Sequence, residues 1–249
     1  VSEIRRTLKP GGIYRGTMLS KRNGHFGKGE KTSSDTFIYD HGGGGDEAHP
    51  HYYCNAGELV ALFDGFELLD VFGPLEMFAM LNDRIDTLLI AEKAGPVKSR
   101  TGPAAMADVG FANAPKLDIV MIPGGSGTRR EVDNAAFLQA IKILADATPQ
   151  VASICTGSGL LAKAGLLDGV RATSNKMAWD WATAQGAQVH WVPHARWVED
   201  GKYTTSSGIS AGTDMALGLI ARLYGKAMAQ WVADRAEYRW NDDPTDDPF

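Results

Sequence analysis

The stretch VASICTGSGLL, Val151–Leu161, decides how this chain is read. The β-prone run Val151–Ile154 stops at Cys155, and the small residues Thr156, Gly157, Ser158 and Gly159 follow. Leu160, Leu161, Ala162 and Ala164 then take up an apolar helical pattern. This predicts strand, sharp turn and helix, with the sulfur at the turn. Small residues let the helix start close beneath the strand, which is the mechanical requirement of a nucleophile elbow. A thiol at a helix N-terminus meets unpaired amide N–H groups and the positive end of the helix dipole, which predicts a lowered pKa. The same pattern also fits a buried cysteine packed as a small apolar side chain. The neighbouring elements have to separate these readings.

Upstream, Leu59–Phe63 predicts a buried strand that leaves through Asp64–Gly65. Asp70–Leu81 predicts a helix with Val71, Leu75, Phe78 and Leu81 on one side and Pro74 in its first turn, where the missing N–H is harmless. Asp70 then stands just past a strand end, as an N-cap or as an acid at a site. Thr87–Lys93 is the next strand, and Val97–Met106 forms a hairpin or an excursion. Lys116–Gly127 runs as a buried strand into a glycine-rich loop. Gly124, Gly125 and Gly127 lack the further spaced glycine and the Lys–Ser/Thr pair of a phosphate loop, so nucleotide binding is not indicated. Such a backbone can instead offer N–H groups to an anion. Asn134–Ala147 is a helix with Phe137, Leu138, Ile141 and Leu144 inward.

Beyond the elbow, Gly165–Asn175 reads as a helix end and a strand, and Lys176–Gln185 as a short helix. Two later strands join at an Asp200–Gly201 turn. Thr213–Arg239 reads as one long amphipathic helix with Met215, Leu219, Leu223, Met228, Val232 and Ala236 along a face. Trp179, Trp181, Trp191 and Trp197 either pack in the core or line a pocket. Strands alternating with helices over this length mean a mostly parallel sheet covered on both faces. In such a sheet the site lies beyond the carboxyl ends of the strands. Asp70, Gly124–Gly125 and Cys155 all leave strands at that rim, which favours the reactive reading of the cysteine.

The 249 residues divide into a glycine-rich extension (1–57), an α/β domain (58–240) and an acidic, proline-containing tail (241–249) with no core-forming pattern. The extension, which contains Gly42–Gly45, has weak folding drive of its own. With 25 basic against 30 acidic residues, the net charge of −5 argues against nucleic acid as a partner. Two cysteines, Cys54 and Cys155, are too few for a disulfide framework and suit the cytoplasm. There is no apolar run of membrane-span length and no signal-peptide core. His49, His51 and Cys54 form a loose trio without the second cysteine pair of a structural metal site, so no metal is expected.

Four stretches in order resemble the ThiJ/PfpI superfamily: LVALFDGFELLDVFGPLEMF, DIVMIPGGSG, VASICTGSGLLAKAGLLDGVRATSN and TSSGISAGTDMALGLI. The resemblance implies a flavodoxin-like three-layer α/β sandwich. It implies that Cys155 is the nucleophile at the elbow and Asp70 its acidic partner, and that the backbone N–H groups of Gly125 and Thr156 hold an anion. It also implies a homodimer acting on a small molecule. The peptidase-like branch carries a histidine where Thr156 stands, and other branches carry one where Asn175 stands, so a Cys–His dyad is missing here. Asp70 with VFGPLEMF, and the Cys–Thr–Gly elbow, are most similar to the isonitrile hydratases of the superfamily. That likeness implies hydration of an isonitrile to an N-substituted formamide by Cys155, Asp70 and Thr156, with Gly124, Gly125 and Asn175 binding substrate and no cofactor. A free-standing redox or small-ligand sensor and glyoxalase-like carbonyl chemistry are the alternative expectations. Separately, Glu3–Leu19, with its Leu8–Gly12 turn, is similar to the late helix–turn–strand region of class I methyltransferases. The glycine-rich cofactor loop of those enzymes is absent, so no methyl transfer is expected.

Overall fold

A computed structural model describes residues 60–81 and 84–249 in full, and otherwise only the backbone of strand residues 18–19, 30–33, 36–38, 50–53 and 56–59. The side chains of His49, His51 and Cys54, and the Leu8–Gly12 turn, lie outside the described residues. The chain forms two compact units, Val1–Asn55 and Ala56–Phe249. In the first, β1 (Met18–Leu19), β2 (Glu30–Ser33), β3 (Thr36–Ile38) and β4 (Pro50–Tyr53) make one sheet in the order β1-β4-β3-β2.

The second unit is an α/β sandwich. Its strands are β5 (Ala56–Ala61), β6 (Ile85–Ala91), β9 (Val109–Gly110), β10 (Ile119–Ile122), β11 (Gln150–Ser153), β14 (Trp197–Asp200) and β15 (Tyr203–Ser206). They form a seven-stranded sheet in the order β14-β15-β11-β10-β5-β6-β9, parallel throughout except for β14, which pairs antiparallel with β15 across the Asp200–Gly201 turn. The Val97–Met106 segment is the excursion in hairpin form, β7 (Gly95–Lys98) against β8 (Ala104–Ala107). The short strands β12 (Arg171–Ala172) and β13 (His190–Trp191) pair apart from the main sheet.

The central strands read as continuous apolar runs because helices cover both faces: all four residues of β10 are buried. The helices are α1 (Leu68–Ala79), α2 (Thr128–Glu131), α3 (Ala135–Ala147), α4 (Gly157–Lys163), α5 (Trp179–Thr183), α6 (Ala211–Tyr224) and α7 (Lys226–Arg235). α1 packs on α6 and α6 on α7, while α2, α3 and α5 all contact α4, so the helices fall into two separate layers. Asn134 caps α3, its side chain accepting from the Phe137 N–H at 3.2 Å.

Two expectations need correction. α1 begins two residues earlier than expected, so Asp70 is its third residue rather than its cap, and Pro74 lies inside the helix. Proline there denies the Asp70 carbonyl its usual helical donor. The long C-terminal helix is broken at Gly225, whose φ of +93° turns the chain between α6 and α7. Leu223, placed on the inner face by the unbroken pattern, is consequently exposed. The acidic tail is held by polar anchors instead of a core. The Pro244 carbonyl accepts the Arg196 N–H, the Asn241 N–H donates to Asp214, and the buried Asp247 carboxylate faces Lys176 at 3.2 Å.

Strand register sets the site. Ile122 pairs with Ser153, and Met121 pairs with Val60, so β5, β10 and β11 end level with one another. The loops that follow them deliver Asp70, Gly124–Gly125 and Cys155 to a single rim.

Candidate active site

Cys155 sits at the apex of the turn with φ +56°, a left-handed conformation that costs a residue with a Cβ roughly 1–2 kcal/mol. The surroundings enforce it. The Cys155 N–H lies between the carbonyls of Ser206 (3.2 Å) and Ser207 (3.1 Å), while its carbonyl accepts the hydroxyls of Ser158 (3.1 Å) and Ser174 (3.0 Å). Two residues on, a Cβ at Gly157 would lie 2.2 Å from the Ile122 carbonyl oxygen, so only glycine lets α4 start so close to β10. Cys155 is buried, with 7% of the residue exposed.

Asp70 reaches the same point from α1 and is wholly buried. Its Oδ2 accepts the Gly124 N–H at 2.9 Å, while its Oδ1 is buried without a hydrogen-bond partner. Burial pushes this carboxyl up to about 8, aided by the nearby Glu67 charge and opposed by the Gly124 N–H and by a hydrogen bond from Cys155. At neutral pH Asp70 is therefore a carboxylic acid, and its unpartnered oxygen can carry a proton. Glu67 is itself paired to Arg100 at 2.8 Å.

The thiol departs from the lowered pKa expected at a helix N-terminus. Burial and the adjacent Asp70 push it well above the ordinary thiol range, and the N–H and hydroxyl of Thr156 pull it only partly back. α4 has just seven residues, and removing the sulfur from water outweighs what its dipole returns. The resting pair is neutral, acid beside thiol.

The expected anion-binding pair is also altered. The Gly125 N–H is taken by the Thr156 hydroxyl at 3.1 Å, so of the expected pair only the Thr156 N–H is left to favour charge on the sulfur. Gly124 and Gly125 serve close approach: a Cβ on Gly124 would lie 2.6 Å from the Thr156 nitrogen and 2.8 Å from Asp70 Oδ2, and one on Gly125 (φ +129°) 2.3 Å from the Gly65 carbonyl oxygen. Asn175 stands beside the elbow, next to Ser174. Its Oδ1 accepts the Ala178 N–H at 2.9 Å, and its amide presses on Gly208.

Two residues of this centre escaped the sequence reading. Thr128, fully buried in α2, donates to the Gly125 carbonyl at 2.8 Å and lies 3.2 Å from the Thr156 hydroxyl. Arg129 donates to the Thr128 hydroxyl at 3.0 Å, and its guanidinium lies 4.1 Å from the centroid of the Trp181 ring. The sequence signal was their place directly after the glycine-rich loop. Of the tryptophans, Trp197 is buried, and Trp179 meets Trp191 edge-on at 6.1 Å. A cavity of about 380 Å³ opens along the same rim but beside the centre, lined by Phe63, Val97, Arg130, Glu131 and Phe137 among others. Among the described residues no cluster of histidine, cysteine and carboxylate side chains could hold a metal ion, and no helix is long and apolar enough to cross a membrane.

The sequence profile of the DJ-1/PfpI family matches residues 58–222, a span that includes every residue of this centre. This chain belongs to the DJ-1/PfpI family. It is 36% identical over 178 residues to an isonitrile hydratase from Pseudomonas putida, a match covering 71% of this chain and 76% of that protein. It is 32% identical over 188 residues to the HTH-type transcriptional regulator GbdR of Pseudomonas aeruginosa, covering 71% of this chain and 49% of the regulator. The crystal structure of a ThiJ/PfpI family protein from Pseudomonas syringae superposes with a TM-score of 0.69 at 28% identity, covering 79% and 78% of the two chains. The likeness of residues 1–57 to a methyltransferase fragment falls outside the matched span and gains no support.

Proposed function

We propose that this DJ-1/PfpI protein is a cysteine-dependent hydratase that adds water to a small isonitrile and releases the N-substituted formamide. The observation that carries the reading is the buried Asp70 carboxyl, held neutral with one oxygen unpartnered beside the Cys155 sulfur. An isonitrile needs both a soft nucleophile and a proton at the same terminal carbon, and this pair supplies both. The 36% identity to an isonitrile hydratase supports the same chemistry. The tight packing around Gly124 also suits a slender, linear terminal group.

In the first step Sγ bonds to the terminal carbon as Asp70 gives that carbon its proton, and the thiol proton replaces the one lost from the carboxyl. The product is a thioformimidate on Cys155 with Asp70 again neutral. Water then adds to the same carbon. Asp70 protonates the nitrogen while accepting a proton from the water, leaving a tetrahedral adduct. Collapse breaks the C–S bond, the adduct's hydroxyl proton returns to sulfur through Asp70, and the formamide leaves. Thr156, through its N–H and hydroxyl, stabilises negative charge on the sulfur as it forms and again as it departs.

The alternatives fit less well. Oxidative sensing starts from an accessible thiolate, whereas this sulfur is buried and held protonated. Glyoxalase-like chemistry lacks its histidine, and Asn175 is occupied as a cap for the turn into α5. The test is conversion of cyclohexyl isocyanide to its formamide. The wild type is expected to turn over and Cys155→Ala to fall to background. Wild-type turnover in Cys155→Ala, or no formamide from the wild type, would overturn the reading.

A further inference from the structure

Each backbone group of Cys155 starts a chain of hydrogen bonds, and both chains end on the acidic segment 241–249. On the carbonyl side, Ser174 Oγ donates to Cys155 at 3.0 Å, and the Ser174 carbonyl accepts from Lys176 Nζ at 3.1 Å. Lys176 Nζ then faces the Asp247 carboxylate at 3.2 Å. On the amide side, the Cys155 N–H donates to the Ser207 carbonyl at 3.1 Å, and the Ser207 N–H to the Arg196 carbonyl at 2.8 Å. The Arg196 N–H in turn donates to the Pro244 carbonyl at 2.8 Å. The residue gripped from both sides is the one held at φ +56°, a conformation that persists only where its surroundings impose it.

The contact between Lys176 and Asp247 is unequal. The ammonium has three hydrogens and three close oxygens: Thr173 Oγ1 at 2.7 Å, the Ala195 carbonyl at 3.0 Å and the Ser174 carbonyl. None is left for Asp247, whose side chain is 1% exposed and whose two oxygens are both buried without a hydrogen bond. Asp247 is therefore held by charge alone, which makes its docking reversible. Its departure would leave the ammonium among a hydroxyl, two carbonyls and the face of Trp179, 5.0 Å away, with its buried counter-ion gone.

We propose that Lys176 and Asp247 are positioning residues through which the 241–249 segment acts as a detachable clamp on the elbow. Docked, the segment fixes the Cys155 peptide in its left-handed conformation from both sides. Released, it lets the turn relax and the sulfur open to solvent. The clamp acts on the elbow itself and does not depend on which electrophile the sulfur meets.

The experiment is amide hydrogen exchange of the whole chain, read residue by residue by NMR, alongside iodoacetamide alkylation of Cys155 read by mass spectrometry of its peptide. Asp247→Asn keeps the shape and removes the charge. It is expected to speed exchange of the Cys155 and Arg196 amides, and alkylation of Cys155, by about tenfold, the scale of one lost hydrogen bond to a charged group. Amides of β10 should keep their wild-type rates, which a general loss of stability would not allow. Asp246→Asn, in the same segment but exposed and bonded only to Asn241, is expected to change neither readout. Ser174→Ala cuts the carbonyl-side chain next to the elbow, and should speed exchange at Cys155 while Arg196 stays protected. Unchanged Cys155 exchange in Asp247→Asn or in Ser174→Ala would overturn the proposal. So would β10 amides accelerating in step with Cys155, or Asp246→Asn behaving like Asp247→Asn. Neither readout uses an isonitrile, so these results and those of the formamide assay can fail independently.

Discussion

Replacing Asp70 by asparagine separates the stability of this fold from its chemistry. The carboxyl has a pKa of about 8 in the native chain against an ordinary 3.8, so between those values the folded state holds a proton that the unfolded state has released. Stability therefore falls as pH rises from about 4 to about 8 and levels off above. At pH 7 the interval is about three units, and at 1.36 kcal/mol per unit the native state is penalised by the order of 4 kcal/mol. Asparagine carries no such penalty, and its Oδ1 can still accept the Gly124 N–H. Asp70→Asn is thus expected to be more stable than the wild type at pH 7 by up to roughly 4 kcal/mol, while losing two to four orders of magnitude in formamide production. Urea denaturation of both proteins from pH 5 to pH 9 measures this. The stability difference should be small at pH 5, widen steadily to pH 8 and then stay constant. A difference that does not change with pH, or an asparagine variant less stable than the wild type throughout, would refute the assignment of Asp70 as a buried neutral acid.

Other perturbations follow from the same geometry. Gly124→Ala places a methyl group 2.6–2.8 Å from the Thr156 nitrogen, its hydroxyl and Asp70 Oδ2, and is expected to cost about 1–3 kcal/mol in urea denaturation and to abolish turnover. Asp214→Ala strips the counter-ion from buried Arg196 and also removes the acceptor for Tyr238 and Asn241. It is expected to cost about 3–5 kcal/mol and to speed limited proteolysis of the segment from Tyr238 onward.

Much of this centre was legible in the sequence because it depends on where strands end. The abrupt stop at Cys155, the GGSG loop after β10 and the acid after β5 each mark a strand exit, and a parallel sheet gathers such exits on one rim. What stayed hidden depends on distances that periodicity does not encode. The ionisation of Cys155 was misread because a helix N-terminus is visible in a sequence and the burial of one sulfur is not. Thr128 and Arg129 are not legible because the loop before them reads only through its glycine backbone, as a phosphate loop or as N–H groups for an anion, while the Thr128 contact with the Thr156 hydroxyl joins the loops that follow β10 and β11. The break at Gly225 was missed because the apolar pattern continues through it. The attachment of the tail is not legible because its anchors, Asp214, Lys176 and the Pro244 carbonyl, are polar and far apart in sequence.

The central claim is that the acid beside the sulfur carries a proton near neutral pH. Infrared difference spectroscopy of the wild type against Asp70→Asn reads this directly, since a buried carboxylic acid shows a C=O stretch that a carboxylate lacks. The account predicts a protonated-acid band at pH 6.5 that disappears as the pH is raised past about 8, the value to which burial pushes Asp70. A carboxylate signal from Asp70 already present at pH 6.5 would contradict it.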